Sequence, residues 1–238
     1  MISHETHSPT VFAPLQALPG KVCASRELYD LVWSCLTVGR FFVVHSETTA
    51  ERASLRIRAR QMVLRNRRHL DAVKAFESAL LGRAQKVIAD ELAVSLSTAS
   101  AMLKQVAETM GFSCRFKRLP LAVPLLLHAL RRQAFDEIFI GTDPAGDGDL
   151  CLTVRRFDTA FAESLSRGEY EVACALLEGK THEEIAAIRH ASTRTVANQL
   201  SSVFRKFGTS GRFELLRLAV TSTASNRLLE KLPNDQSE

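Results

Sequence analysis

The residues best placed to do chemistry lie between 192 and 207, and their chemistry is recognition rather than catalysis. At helical spacing, Arg194, Ala197, Asn198, Ser201 and Arg205 fall on one side of this segment, while Val196, Leu200, Val203, Phe204 and Phe207 fall on the other. The first stripe is slim, polar and basic. Such a face fits a groove ~12 Å wide and offers donors to base edges and phosphates. Arg194 suits guanine or a phosphate, and Asn198 suits adenine. Ser192 and Thr193, at the start of the helix, suit phosphate binding. Lys206 and Arg212 are placed for further backbone contacts.

A second basic feature lies in residues 51–70, which hold seven arginines against one glutamate. Arg56, Arg58 and Arg60 alternate with Leu55, Ile57 and Ala59, so on a strand the arginines share one face. That face is either a basic wing for nucleic-acid phosphates or a surface facing water or an acidic partner.

Catalytic and metal constellations are missing from the sequence. His182-Glu183-Glu184 resembles the start of HExxH, but the fifth residue is Ala186. Walker A, GxGxxG and GxSxG motifs do not occur, and the seven histidines are dispersed. The five cysteines are odd in number and form no CxxC pair, which argues against a disulfide framework or a zinc ribbon. Cys174 reads as a small core residue and Trp33 as a core or hairpin-packing aromatic. No cofactor, metal or enzymatic activity is expected.

The elements that position the basic helix occur twice. Sliding the sequence by 97 positions lays residues 80–119 over 177–216 with thirteen identities in forty, against about two or three by chance. Gly82/Gly179, Ser95/Ser192, Thr98/Thr195, Gly111/Gly208, Arg115/Arg212 and Phe116/Phe213 are among them. Upstream, the same offset lays Phe41–Val44 over Ile138–Gly141 and Ser54–Arg58 over Cys151–Arg155, which reads as a β-hairpin in each half. An apolar helical stretch precedes each hairpin, at 26–38 and 121–133.

The expected plan is mainly α, a tandem repeat of β-hairpin plus four-helix domain. A tail at 1–20 precedes a first repeat over 21–128, with its hairpin at 40–60 and helical unit at 69–128. The second repeat covers 129–230, with its hairpin at 137–157 and helical unit at 161–225. A second tail covers 231–238.

The second helical unit is the better written. Ser166/Glu169 and Thr181/Glu184 are capping boxes, and Gly179 and Gly208 are helix stops. Two short helices, a tight Arg189-His190-Ala191 connection and a longer third helix from Ser192 to Phe207 make a helix-turn-helix pattern. In the first unit His69/Ala72 and Ala84/Val87 replace both boxes. Its outward stripe is Ser97, Ser100, Ala101, Lys104 and Glu108, one positive charge against one negative. This stripe is either a weaker nucleic-acid surface, with Ser97, Ser100 and Lys104 as accessory contacts, or part of a packing or dimer-mimicking partner.

Residues 165–219 closely resemble the LuxR-type DNA-binding domain. The likeness rests on Leu165-Ser166, Glu169, Gly179, Glu184-Ile185-Ala186, Ser192, Thr195-Val196, Lys206-Phe207-Gly208 and Arg212. Gly168, Ala197 and Gln199 depart from a pattern that has Arg, Lys and His there. The resemblance implies a four-helix domain that binds double-stranded DNA through its third helix and often dimerises through its fourth. The implied DNA-binding set is Ser192, Thr193, Arg194, Thr195, Ala197, Asn198, Ser201, Arg205, Lys206 and Arg212. A transcriptional regulator is expected, acting as an intramolecular pseudo-dimer or a homodimer. The other reading is an interaction module for a second regulator or RNA polymerase.

Bulk properties agree. The chain has 238 residues, 46% apolar and 24% charged, with a net charge of +5. That is globular composition with an excess suited to an anionic partner. Charges interrupt every window of the ~20 residues a membrane helix needs. The start MISHETHSPT has neither the basic nor the apolar region of a secretory signal. A reduced cytoplasmic setting is the corresponding expectation.

Overall fold

The computed structural model describes residues 26–49, 51–60, 67–142, 149–156 and 165–230. The expected tails at 1–20 and 231–238 lie outside the described residues. The described elements run α1 (Arg26–Thr37), β1 (Phe41–Thr48), β2 (Arg52–Ala59), α2 (Arg67–Leu80), α3 (Gln85–Glu91), α4 (Leu96–Thr109), α5 (Ala122–Arg132), β3 (Ile138–Thr142), β4 (Leu150–Arg155), α6 (Arg167–Leu177), α7 (His182–Ile188), α8 (Thr193–Phe207) and α9 (Arg212–Glu230). The chain is mainly α, with all its described strands in hairpins.

The two hairpins do not stay apart. They join into one antiparallel four-stranded sheet in the order β1-β2-β4-β3. A lone hairpin is marginal in water and leaves two open edges. Pairing β2 with β4 closes one edge of each. Leu55 lies directly opposite Leu152 in that pairing, two residues 97 apart in the chain. Strand alternation turns Ala53, Leu55 and Ile57 of β2 and Leu150, Leu152 and Val154 of β4 inward, where all are buried. Helices α1 and α5 cover this inner face.

The outer strands correct the expected alignment. Ser46 faces Leu55 and Ile140 faces Leu152, so residues 94 apart take like places instead of 97. The cause is local. Three residues connect β1 to β2, and seven connect β3 to β4. β1 also carries a register shift between Val43 and His45.

The helical units form because their ends are written locally. Ser95 and Ser192 each accept a hydrogen bond from the amide three residues on, at 3.1 and 3.0 Å. Both expected capping boxes are present in the second unit, while Ala84 offers no side-chain cap. Gly82 and Gly179 both sit at φ +90°, a conformation that disfavours any residue with a Cβ. Their bareness also serves packing. A Cβ on Gly82 would lie 3.0 Å from the Glu214 backbone, and one on Gly179 would lie 3.3 Å from the carbonyl oxygens of Arg118 and Leu119. Each glycine turn therefore abuts the chain of the other unit.

One large core runs through both halves. Phe76, Phe116 and Phe213 form a chain of ring contacts, with centroids 5.4 and 4.8 Å apart. The last pair are again residues 97 apart. Every residue of α5 from Ala122 to Leu130 is buried. Trp33 is buried and donates to Glu77 at 2.7 Å, and the Tyr29 hydroxyl donates to the Ile138 carbonyl at 2.8 Å. A smaller core of Val172, Ile185, Ala186, Val196 and Leu200 holds α6, α7 and α8 together.

Candidate nucleic-acid interface

The apolar stripe of α8 fixes its orientation. Val196, Leu200 and Val203 are fully buried, with Phe204 and Phe207 partly buried beside them. Burying each such side chain contributes roughly 1.5–3 kcal/mol, which pins the helix against rotation. The opposite stripe is therefore presented outward. Arg194, Asn198, Ser201 and Arg205 are exposed, together with Ser192, Thr193 and Thr195 at the helix start, and Ala197 is half-buried. Ser192 caps the helix with its hydroxyl 2.8 Å from that of Thr195.

Two basic residues of the expected set are engaged inside the protein. The Lys206 ammonium lies 2.7 Å from Glu169 at the start of α6. That contact, with the Ser166 amide, holds the Glu169 carboxyl down at about 2. Lys206 thus ties the end of α8 to the start of α6, although it remains exposed.

Arg212 requires a correction. It is buried and donates to the Leu177 carbonyl at 2.7 and 3.1 Å and to the Lys117 carbonyl at 2.9 Å. Its guanidinium also lies over the Phe213 ring, and burial lowers its pKa to about 10. It clamps the two helical units and cannot reach a phosphate.

The arginine strand divides in the same way. Arg52, Ser54, Arg56 and Arg58 share the outer face of β2. Arg58 makes a two-pronged contact with the buried Asp149 at 2.7 and 3.0 Å, which lowers that carboxyl's pKa. Arg60 is the second correction. The strand ends at Ala59, and the Arg60 guanidinium donates to the carbonyls of Gly39 and Thr109 and stacks over Phe42. It seals the C-terminal end of α4.

In the first unit Ser97, Ser100, Ala101, Lys104 and Glu108 are all exposed on α4. Lys104 lies 3.5 Å from Glu108, so the face is internally neutralised. Cys174 is half-buried, not a core residue. It lies in a cleft between α6 and α7 with Tyr170, Ile185 and Ile188. Burial raises its thiol pKa, which suits packing and not nucleophilic chemistry.

Two positions that depart from the expected family pattern prove to be fitted to each other. A Cβ on Gly168 would lie 2.9 Å from the Gln199 amide nitrogen and 3.2 Å from Arg189. Arg189 donates to Gln199 and pairs with Glu171 at 3.3 Å. The space left by glycine is filled by these two side chains.

Residues 163–219 match the family model described as bacterial regulatory proteins, luxR family. This segment is a LuxR-type helix-turn-helix domain. It covers about a quarter of the chain and comprises α6, α7, α8 and the start of α9. Comparison with curated proteins and with solved structures gives no match. The LuxR-type domain is not isolated in the fold. Arg118 pairs with Glu184, and Arg156 reaches Glu178 at 2.9 Å and the Thr49 carbonyl at 3.0 Å. These ties were not visible in the sequence, because nothing local marks an arginine's distant partner.

Proposed function

We propose that the chain is a bacterial-type transcriptional regulator that binds duplex DNA through α8. The observation that carries this reading is the free basic stripe of Arg194, Asn198 and Arg205, backed by a fully buried apolar stripe within the LuxR-type domain. Arg194 and Asn198 read base edges in the major groove. Ser192, Thr193, Thr195, Ser201, Arg205 and Lys206 set the helix against the backbone, and Ala197 leaves room for close approach. Arg56 and Arg58 serve as accessory phosphate contacts on the sheet.

The whole chain is read as a tandem repeat folded into an intramolecular pseudo-dimer. Support comes from Leu55 opposite Leu152 and Phe116 against Phe213, each pair 97 residues apart. No described helix is long and apolar enough to cross a membrane, and a cytoplasmic setting fits a DNA partner. Gel-shift titration tests the reading. Arg194→Ala or Asn198→Ala should cost about 1–3 kcal/mol at one base position, and Arg205→Ala should lower the salt slope by about 1. Binding unchanged by all three substitutions would refute it.

The second reading is a module that binds another regulator or polymerase. Leu70 and Leu96, exposed on the first unit at 52% and 53%, are the observation in its favour. A protein partner retained after nuclease treatment, with no DNA affinity in the purified chain, would select it.

A further inference from the structure

Resting on that DNA reading, we infer that one chain reads one unrepeated site. The first helix-turn-helix stands where a second copy of the reader would pack, and it reads no bases itself.

The first observation is the fate of α9. Phe213, Leu216, Ala219 and Val220 are all buried by the chain's own residues. They belong to the same core as Phe76, Leu119 and Leu121. Phe213 meets Phe116 at 4.8 Å, and Arg212 anchors the helix start to the Lys117 carbonyl at 2.9 Å. The Gly82 turn abuts the Phe213–Glu214 backbone. From Phe213 to Val220 the apolar face of α9 is therefore closed in cis, and a second copy gains this stretch only by tearing the core.

The second observation is the face of α4. At the places that Arg194, Asn198 and Arg205 take on α8, the first unit has Ser97, Ala101 and Glu108. Nothing there makes a two-pronged base contact of the kind that discriminates sequence. Glu108 would meet phosphate with like charge, and it already neutralises Lys104. Leu96, half exposed, replaces the hydroxyl of Thr193 at the helix start. The end of α4 is anchored as well: Arg60 donates to the Thr109 carbonyl, and the Val43 amide donates to the Met110 carbonyl at 2.8 Å. This helix is built into the scaffold.

The reader thus carries an internal, non-reading companion. Its target is duplex DNA with a single asymmetric recognition element, not an inverted repeat. Selection of bound fragments from random duplexes, followed by the mass of the full-length complex from light scattering, tests this. The expected result is one non-palindromic motif and one chain per duplex. Arg194→Ala should weaken that complex roughly 5- to 150-fold, while Ser97→Ala and Lys104→Ala should change it by less than about twofold. An inverted or direct repeat carrying two chains overturns the inference, as does a tenfold or greater loss on Lys104→Ala. Failure to retain any duplex refutes the DNA reading itself, and the inference with it.

Discussion

The helical segments around α4 and α8 share marks of their backbone and differ in what they show to the outside. Gly82 and Gly179 share φ +90°, and Ala93 and His190 lie at φ 52° and 50°. Ser95 and Ser192 cap their helices alike. Yet α8 presents two unopposed arginines, whereas α4 presents an ion pair. Their far ends differ too. A Cβ on Gly111, after α4, would press on the Val43 backbone at 2.9 Å, while Gly208, after α8, has nothing within 4 Å. The end of α4 packs against the sheet and its outward face carries an ion pair; the end of α8 is open and its outward face is charged. On the proposed reading, the backbone turns alone therefore do not make a reader. The outward stripe differs between α4 and α8 while the turns beneath them keep the same φ values.

The largest test of this contrast compares Arg212 with Arg115. They hold corresponding places, but Arg212 is buried while Arg115 is exposed. Arg212→Ala strips the Leu177 and Lys117 carbonyls of their partner. At roughly 1–3 kcal/mol for each such group, it should cost about 4 kcal/mol in urea unfolding. Arg115→Ala should stay within about 0.5 kcal/mol.

Next comes acid. His128 lies in the buried stretch of α5 from Ala122 to Leu130, with Nε2 unpartnered and Arg132 and Arg217 nearby. Burial, then Arg132, lowers its pKa to about 4 from the ordinary 6.5. The folded state therefore holds it neutral while the unfolded state takes up a proton first. Stability is fully present above pH 6.5, is lost as pH falls from 6.5 toward 4, and loses nothing further from this group below that. The loss should total about 3 kcal/mol, and His128→Leu should flatten that span of the denaturation profile.

A sharper and smaller test transplants the reading face. Ser97→Arg, Ala101→Asn and Glu108→Arg together give α4 the stripe of α8. The selected DNA motif should then acquire a second half, each correct base pair contributing about 1–3 kcal/mol. The smallest effect should be equal on both sides: Ser95→Ala and Ser192→Ala should each cost about 1 kcal/mol in thermal unfolding, because the two caps have the same geometry.

What was legible in the sequence was written within a few residues. Capping boxes, glycine stops and the two stripes of α8 need only local spacing, and they stand in the fold as expected. The joining of the hairpins was not legible, since the choice of β4 as partner for β2 depends on strands about a hundred residues apart. Nor was the division among arginines. Arg115 and Arg212 fall together when the sequence is slid by 97 positions, yet one meets solvent and the other meets the Leu177 carbonyl. Arg60 continues the alternation of Arg56 and Arg58, but the strand stops one residue before it. An arginine's role is decided by acceptors contributed from elsewhere in the fold.

The Phe116–Phe213 contact is made within a single polypeptide. Pairing of the two units is therefore immune to dilution. A regulator assembled from separate subunits fills its sites with the square of its abundance when scarce. A chain that carries both units, as inferred above, would fill them in simple proportion to its abundance.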